Sequence, residues 1–276
     1  MKAVGPATVR LGVAGWPVAH SRSPAMHNAA LAQVGCVGWR YQLLPVPPEL
    51  FAETVAALPA VGFRGLNVTI PHKGAALALA DEATARARAI GAANTLIFDG
   101  GRIRAENTDA PALIAELPMP ASGITAVVLG AGGSARAAVW ALRDAGAREV
   151  WVWNRTPERA RELCASLGGV PVQQPPPADV LVNSTAAGLS DLARIFAELP
   201  LREDDLVRYR CVVDLVYAPH ETALVAAARA REIAVVDGLS LLVAQGALSF
   251  EQFTGRRAPV ETMRAAVQAP LSSGPP

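Results

Sequence analysis

Short apolar runs alternate along the chain with stretches in which apolar residues recur every three or four positions. The run from Val9 to Ala14 is rich in β-branched residues and stops at turn residues, which predicts a buried strand. Residues 41–46 and 65–70 predict two more strands, the later one ended by a proline. Ser23 is the expected N-cap of the first helix. Helical patterns lie between and after the strands, beginning at Pro24, Pro48 and Lys73.

The same alternation restarts after residues 118–123, which cannot continue a helix or a central strand and therefore mark a boundary near a domain transition. A continuous apolar run at 124–129 is followed by a glycine cluster, an alanine-rich helix up to Ala145 and a strand at 150–153. Further buried strands are expected at 180–182 and 211–215. Repeated alternation of this kind predicts parallel strands joined by crossover helices, with ligands outside the carboxyl ends of the strands.

Composition narrows the class of protein. Of the 276 residues, 51% are hydrophobic and 18% are charged, with a net charge of +1, which excludes disorder as the main state. Positive and negative residues are interspersed, so we expect no nucleic acid partner, and a small ligand fits better. Cys36, Cys164 and Cys211 show neither metal spacing nor a disulfide pattern, as in a reducing cytosol, and no metal is expected.

No targeting or membrane segment is expected. The apolar stretch near the N-terminus is broken by Arg10 and lacks a cleavage pattern, so it does not resemble a signal peptide. No run of about 18 uninterrupted apolar residues occurs, which predicts no membrane span. The expected location is the cytoplasm.

A glycine-rich segment lies directly between a predicted strand and a predicted helix, where a dinucleotide-binding fingerprint has to lie. Gly130 would allow the tight turn, Gly132 would let the backbone approach a diphosphate, and Ala135 would allow close packing of helix on strand. The alternative is an ordinary glycine-rich turn. The candidate cofactor-binding segment is Gly130-Ala131-Gly132-Gly133-Ser134-Ala135.

The next strand ends without the acidic residue that normally binds the ribose of NAD. The chain has Asn154-Arg155-Thr156 there, and Arg159 follows one helical turn later. A guanidinium at this place can bind a 2′-phosphate, so the expected cofactor is NADP. The alternative is that both arginines are solvated residues at the start of a helix.

Several ordered segments resemble the signature motifs of the shikimate dehydrogenase family. Three of them lie in the first hundred residues, namely 15–24 (GWPVAHSRSP), 67–73 (NVTIPHK) and 91–95 (GAANT). Later matches are 107–109 (NTD), the glycine cluster, 154–156 (NRT), 183–188 (NSTAAG) and Gln245 with Ser249-Phe250. The resemblance covers nearly the whole chain.

The resemblance implies reversible, NADPH-dependent reduction of 3-dehydroshikimate to shikimate in the biosynthesis of aromatic amino acids. It makes Lys73 and Asp109 the catalytic pair. Lys73 can stabilise alkoxide charge and relay a proton, while Asp109 can hold the ammonium and accept from a substrate hydroxyl. Considered alone, the two residues could be a solvated lysine at a helix start and a helix N-cap.

The resemblance also implies the substrate contacts and the rest of the cofactor contacts. Ser21 and Ser23 would bind the substrate carboxylate, although either could be only a helix cap. The ring hydroxyls would contact Thr69, Asn94 and Gln245, and Tyr217 would line the region shared by substrate and nicotinamide. Gln245 could instead be a surface residue and Tyr217 a core residue. Further cofactor positions are Thr185, Leu215 and Gly238.

The predicted fold is α/β, with an N-terminal α/β substrate domain, a Rossmann-type doubly wound NADP-binding domain, and the active site in the cleft between them. The expected boundaries are 1–109 and 110–237, with helices of 238–270 returning to the first domain and a tail at 271–276. The sequence departs from the family pattern at Ala93, at Ala110-Pro111 and at Leu241-Leu242. These departures affect the expected shape of the pocket and leave the preference for shikimate over quinate open. Two alternatives therefore stay open, a broader quinate/shikimate dehydrogenase using NAD or NADP and a noncatalytic NADP-binding sensor. A monomer or a homodimer is expected.

Overall fold

The structure is a computed structural model, and it describes residues 8–188, 194–217 and 221–269. The chain forms two compact units. The first unit consists of residues 1–88, 93–108 and 242–276, and the second unit consists of residues 89–92 and 109–241. The predicted tail at 271–276 lies outside the described residues.

The first unit is built on one six-stranded sheet with the strand order β2-β1-β3-β5-β6-β4. Its strands are β1 (Val9–Gly15), β2 (Trp39–Pro45), β3 (Phe63–Val68), β4 (Glu82–Ala83), β5 (Thr95–Asp99) and β6 (Arg102–Glu106). Its helices before the second unit are α1 (Ser23–Gln33), α2 (Phe51–Ala57), α3 (Lys73–Ala78) and α4 (Ala85–Ile90), which runs into the second unit. β1, β2 and β3 are parallel, as predicted.

The expectation of parallel strands is wrong for β5, which is antiparallel to both β3 and β6. β5 and β6 form a hairpin whose turn is Gly100-Gly101, and both glycines have positive φ values, 56° and 78°. A two-residue turn of this kind can join only antiparallel strands, and it favours glycine at both positions. The sequence Asp99-Gly100-Gly101 is a hairpin signal that the alternation of strands and helices does not reveal.

The start of α1 also differs from the prediction. The helix includes Ser23, and the cap position is Arg22, where no side-chain cap is formed. Ser23 is therefore not the N-cap. Its backbone N–H instead donates to Ser21 Oγ at 3.3 Å.

The C-terminal helices complete the first unit. These helices are α10 (Gly238–Thr254), which belongs to the first unit from Leu242 onward, and α11 (Val260–Gln268). α11 packs on α1, and a Cβ added at Gly246 of α10 would overlap the side chain of Met26. Absence of a side chain at Gly246 therefore lets α10 lie close against α1.

The second unit is a parallel six-stranded sheet with the order β12-β11-β10-β7-β8-β9. Its strands are β7 (Thr125–Leu129), β8 (Glu149–Trp153), β9 (Val170–Pro171), β10 (Val180–Asn183), β11 (Cys211–Asp214) and β12 (Ala234–Val236). Its helices are α5 (Asp109–Glu116), α6 (Gly133–Asp144), α7 (Pro157–Leu167), α8 (Ile195–Glu198) and α9 (Ala223–Ala230). β7, β10 and β11 are buried at every residue, as expected for central strands covered on both faces.

The strand order reverses between β7 and β10. In a doubly wound sheet, this reversal leaves a crevice at the carboxyl ends of the two strands, where ligands bind. The glycine cluster follows β7 directly. Within the described residues, no helix is both long and apolar enough to cross a membrane, and no group of three or more potential metal ligands comes together.

Candidate active site

Gly130 makes the tight turn after β7. Its φ is 112°, and its N–H donates to the carbonyl of Trp153 at 2.7 Å. A Cβ at this position would lie 2.9 Å from Ser184 Oγ. Both the backbone conformation and the contact with the loop after β10 therefore require glycine at position 130.

Gly132 is the N-cap of α6, and no side chain caps the helix. A Cβ added to Gly132 would meet no atom within 4 Å, so the backbone faces open space in front of the helix N-terminus. Ala135, one turn into the helix, is completely buried against the sheet. Open space before an α-helix with N–H groups and partial positive charge fits the diphosphate of a dinucleotide.

The loop after β8 carries the candidate 2′-phosphate residues. Asn154 donates from Nδ2 to the carbonyl of Thr156 at 2.9 Å, which fixes the turn into α7. Arg155 and Arg159 are exposed, so both guanidinium groups are accessible. The nearest acidic residue, Glu158, forms an ion pair with Arg161 at 2.6 Å. The donor set fits a phosphate better than a bare ribose hydroxyl.

Thr185 lies in the loop after β10 and is held by Asn183. Asn183 Oδ1 accepts from Thr185 Oγ1 at 2.7 Å, and Thr185 Oγ1 accepts from the N–H of Ala187 at 3.0 Å. Asn183 also donates from Nδ2 to Asp214 Oδ1 at 2.9 Å. Sequence reasoning assigned no role to Asn183 or Asp214, because a contact across two strands leaves no local sequence signal.

The segment from Leu215 to Tyr217 lies between the end of β10 and the start of α10, where Gly238 is the first residue. The N–H of Leu215 donates to the carbonyl of Asn183 at 2.9 Å. A Cβ at Gly238 would lie 2.6 Å from the carbonyl oxygen of Val216, so the start of α10 lies directly against this segment. Tyr217, half-buried, ends the segment. The cofactor positions predicted after β10 and β11 are thus clustered in the second unit.

Arg136 of α6 holds the segment that carries the 91–95 motif. Its Nε donates to the carbonyl of Ile90 at 2.6 Å, and a Cβ at Gly91 would lie 2.5 Å from the guanidinium. Burial lowers the pKa of Arg136 from its ordinary value. No motif of the sequence pointed to this arginine, whose guanidinium occupies the space of a Cβ at Gly91, and the φ of 73° at Gly91 independently favours glycine.

In the first unit, Ser21 and Ser23 flank a buried arginine. The N–H of Ser21 donates to the carbonyl of Val18 at 2.9 Å, and Ser23 is 4% exposed. Arg22 donates from its guanidinium to the carbonyl of Ala269 at 2.6 Å. The serine loop is therefore attached to the end of α11, a contact across almost the whole chain.

Lys73 begins α3 and is 9% exposed. Its carbonyl accepts from the N–H of Ala93 at 2.9 Å, which joins two of the family-like motifs. Lysine occurs at two positions in the sequence, 2 and 73, whereas lysine and arginine together number 25. In a chain that uses arginine for nearly every cation, this was a further sequence signal for Lys73.

The two histidines next to the candidate residues differ in exposure. His72 is buried, donates from Nε2 to the carbonyl of Val46 at 2.8 Å and stacks on Phe51 with ring centroids 4.3 Å apart. Burial lowers its pKa, and the backbone hydrogen bond opposes this change. His72 therefore has a structural role. His20 is exposed.

Asn94 is the centre of the substrate-side network. It is buried and donates from Nδ2 to Thr108 Oγ1 at 2.9 Å and to Gln245 Oε1 at 3.3 Å. Gln245 in turn donates from Nε2 to the carbonyl of Leu242 at 2.7 Å. Asp109, the first residue of α5, follows Thr108 in the chain. The structure thus connects Lys73, Asn94 and Gln245 within the first unit.

Asn67 supports this network from β3, and sequence reasoning did not assign it a role. Its Oδ1 accepts from Tyr41 Oη at 2.8 Å, and its Nδ2 donates to Thr95 Oγ1 at 3.1 Å. Thr69, two residues later, is half-buried, and its N–H donates to the carbonyl of Ala14 at 2.9 Å. Asn67 therefore anchors β3 directly below Thr69.

Three family models match the chain. A shikimate dehydrogenase substrate binding domain matches residues 13–96, a shikimate / quinate 5-dehydrogenase matches residues 114–215, and a shikimate 5′-dehydrogenase C-terminal domain matches residues 238–268. Together they extend over both units.

Curated proteins and solved structures agree with these matches. The NADP(+)-dependent shikimate dehydrogenase of Methylobacterium radiotolerans is 48% identical over 91% of this chain and 93% of its own length. That of Nitrobacter hamburgensis is 44% identical over 93% of each chain. The shikimate 5-dehydrogenase of Thermus thermophilus, solved in complex with NADP(H) and shikimate, is 39% identical with a TM-score of 0.83, covering 95% of this chain and 99% of that one.

Proposed function

The chain belongs to the shikimate dehydrogenase family, and from that membership we propose that it catalyses the reversible, NADPH-dependent reduction of 3-dehydroshikimate to shikimate. The predicted family and the predicted two-domain α/β fold are both confirmed. The curated relatives are shikimate dehydrogenases that use NADP(+), which supports NADP as the cofactor here.

The hydrogen bonds of Asn94 carry this proposal. They connect the residue before β5 to Thr108, which precedes Asp109, and to Gln245 of α10. Three segments that are distant in sequence thus bring candidate substrate residues together in the first unit. A protein that only binds NADP has no need for such a polar arrangement in the first unit.

The chemistry assigned to each residue follows from its charge and position. NADPH supplies the hydride when it is bound. Lys73 holds the carbonyl oxygen of the substrate, stabilises the negative charge that develops there, and gives up a proton to it, so that the ketone becomes an alcohol. Asp109 holds the ammonium group and accepts a hydrogen bond from a neighbouring hydroxyl of the substrate.

Binding roles complete the proposal. Ser21 and Ser23 donate to the substrate carboxylate, and the ring hydroxyls contact Thr69, Asn94 and Gln245, with Tyr217 beside the reacting carbon. A site that pairs each hydroxyl rejects analogues lacking one, because a buried partner would then be unsatisfied. On the cofactor side, the glycine turn holds the diphosphate and Arg155, with Arg159, holds the 2′-phosphate. Thr185, Leu215 and Gly238 contact the cofactor beyond its diphosphate.

Domain roles, location and assembly belong to the same proposal. Residues 1–109 with the returning helices of 238–270 bind the substrate, and residues 110–237 bind NADP. We place the protein in the cytoplasm as a monomer or a homodimer, without nucleic acid or membrane partners. Light scattering on the purified protein decides between monomer and dimer.

A second candidate is a broader quinate/shikimate dehydrogenase. The family model that matches residues 114–215 is described for both substrates, and Ala93 and Ala110-Pro111 depart from the usual pattern close to Asn94 and Asp109. The exposed Arg155 argues against efficient use of NAD, because a 2′-phosphate is what this guanidinium can bind.

Initial rates of cofactor reduction test the proposal. Purified protein is assayed with shikimate or quinate, each with NADP or NAD. Strong preference for shikimate with NADP is the expected result. Comparable rates with quinate or NAD would assign the broader enzyme, and NADP binding without turnover on any pair would assign the sensor.

A further inference from the structure

Asp214 is a buried carboxylate to which neither the sequence motifs nor the mechanism above assigns a role. It ends β11 and has no exposed surface. Three groups donate to it, Thr222 Oγ1 at 2.7 Å, Asn183 Nδ2 at 2.9 Å and the N–H of Val216 at 3.1 Å. In the part of the chain that the structure describes, no basic side chain forms an ion pair with Asp214. Its charge is therefore stabilised by neutral donors alone.

Each donor belongs to a different segment around the cofactor positions. Asn183 ends β10 and holds the hydroxyl of Thr185. Val216 lies between Leu215 and Tyr217, against Gly238. Thr222 is the N-cap of α9, where its Oγ1 also accepts from the N–H of Val225 at 3.2 Å. One carboxylate thus joins the end of β10, the segment after β11 and the start of α9.

We propose that Asp214 is a positioning residue, whose ionised carboxylate holds Thr185 and the segment from Leu215 to Tyr217 in the arrangement that hydride transfer requires. This inference rests on the proposed function. Asp214 touches neither cofactor nor substrate in this proposal and acts through Asn183 and the backbone of Val216. Ionisation matters because a carboxylate offers acceptors to all three donors, whereas a protonated carboxyl must direct its own O–H at one of them.

Burial makes this arrangement sensitive to pH near neutrality. Desolvation raises the pKa of Asp214 to about 6, while the hydrogen bonds from Thr222, Val216 and Asn183 oppose the increase. The Asp237 carboxylate also raises this pKa. Asp237 itself pairs with Arg229 at 3.2 Å and accepts from the N–H of Ser240 at 2.9 Å. The rate should therefore fall on the acid side as Asp214 takes up a proton.

Two substitutions separate charge from geometry. In Asp214→Asn, the amide oxygen can still accept from Asn183 and Val216, and the amide N–H can donate to Thr222 after its hydroxyl turns. In Asp214→Leu, all three donors lose their acceptor and are left buried without a partner. Asp204→Asn is the control, because Asp204 is an almost fully exposed carboxylate of the same unit, paired with Arg231.

The experiment measures kcat/KM for shikimate with NADP from pH 5 to pH 9, together with the affinities for NADP and for 2′,5′-ADP. The fragment contacts only the glycine turn, Arg155 and Arg159 in our proposal, so it reports whether the fold of the second unit is intact. Asp214→Asn resembles the protonated carboxyl, since it is neutral and turns a donor on Thr222. It should therefore show at every pH the lowered kcat/KM that protonation of Asp214 causes in the wild type, and it should lack the acid limb. Asp214→Leu should lose about 100-fold or more in kcat while it keeps its affinity for 2′,5′-ADP.

Three results would overturn the role of Asp214. The first is an acid limb in Asp214→Asn that is the same as in the wild type and in Asp204→Asn. The second is normal kcat in Asp214→Leu, and the third is a parallel loss of 2′,5′-ADP affinity, which would show general unfolding. Absence of wild-type turnover would instead refute the proposed function. The role of Asp214 is then tested by comparing the affinities for NADP and for 2′,5′-ADP in Asp214→Leu and the wild type. Only the affinity for NADP should fall in Asp214→Leu.

Discussion

Asn94 and Thr108 are joined by a pair of reciprocal hydrogen bonds in the core of the first unit. The N–H of Thr108 donates to Asn94 Oδ1 at 2.8 Å, and Asn94 Nδ2 donates to Thr108 Oγ1 at 2.9 Å. Both residues are at most 3% exposed. Both polar atoms of the Asn94 side chain therefore have a partner on Thr108. These two hydrogen bonds fix the backbone immediately before Asp109.

Asn94→Ala should lower the free energy of unfolding by about 2–4 kcal/mol, because the N–H and hydroxyl of Thr108 lose their partner in a buried place. Urea unfolding measures the change. Asn28→Ala is the control, since Asn28 makes the same two-point contact, at 2.9 Å each way, with the backbone of Tyr41 but is half-buried. Water can take over the two hydrogen bonds of Asn28, so Asn28→Ala should lower the free energy of unfolding by only about 1 kcal/mol. Equal losses would show that burial is not what makes Asn94 important.

Gly132→Ala should leave the melting temperature within about 2 °C of the wild type, because its added methyl group meets nothing and its φ is −85°. NADP affinity should fall at least about tenfold, since the methyl group occupies the space where the diphosphate would lie.

Gly130→Ala is the matched comparison. Its φ of 112° and the contact with Ser184 should make it destabilising by about 1–3 kcal/mol. Calorimetry with and without NADP distinguishes the two variants. Unchanged NADP affinity in Gly132→Ala would show that the diphosphate does not bind at this turn.

Arg155→Gln should weaken NADP binding by about 10- to 100-fold and leave NAD binding nearly unchanged, because only NADP carries the 2′-phosphate. Arg161→Gln provides the control, since Arg161 is an exposed arginine of α7, the helix that follows Arg155, and is paired with Glu158. Titration calorimetry with both nucleotides gives the ratio. Parallel weakening of NAD and NADP would place Arg155 elsewhere than on the 2′-phosphate.

Lys73→Ala should lower kcat by about 100- to 10,000-fold and change the KM for shikimate by only a few fold, because proton transfer and charge stabilisation act on the transition state. Lys2→Ala serves as the control, since Lys2 is the other lysine of the chain and lies outside the described residues. Steady-state kinetics at saturating NADP measures both constants. Normal turnover in Lys73→Ala would remove this residue from the mechanism.

His27 should make the protein less stable in acid. It is fully buried on α1, stacks on Tyr41 at 4.2 Å, and burial lowers its pKa from 6.5 to about 3. Because the folded protein holds the neutral ring, its stabilising contribution is complete above pH 6.5. It is lost as the pH falls from 6.5 towards 3, by about 1.4 kcal/mol per pH unit.

His27→Phe keeps a ring on Tyr41 and removes this titration. Urea unfolding at pH 5 and pH 7 should show a smaller difference between the two pH values in the variant than in the wild type. Equal pH dependence in both proteins would mean that the unfolded state, or other groups, determine the acid limb.

Local patterns predicted much of the fold. The apolar run of β7, the glycine turn and the alanine-rich α6 follow each other within twenty residues, so periodicity and glycine placement identify them. The hairpin of β5 and β6 was missed because repeated alternation was extended past a turn whose glycines specified antiparallel pairing.

The supporting polar contacts could not be predicted in the same way. Asp214 reaches Asn183 across 31 positions of sequence, and Asn67 reaches Tyr41 across 26. Such pairs depend on strand order and register, which a single sequence states only indirectly. The roles of Lys73, Asp109 and Ser21 came from motif resemblance, and they remain predictions for the measurements above.

The division of the chain into two units has a consequence for biosynthesis. The first unit needs residues 242–269, so its α1 has no α11 to pack on, and Arg22 has no Ala269 to contact, until those residues have been synthesised. The second unit is nearly continuous and could assemble as soon as Leu241 has left the ribosome. The unit that begins to be synthesised first is therefore the unit that folds last, and a chain truncated before Ala269 would lose the contact that holds the serine loop at the opposite end of the sequence.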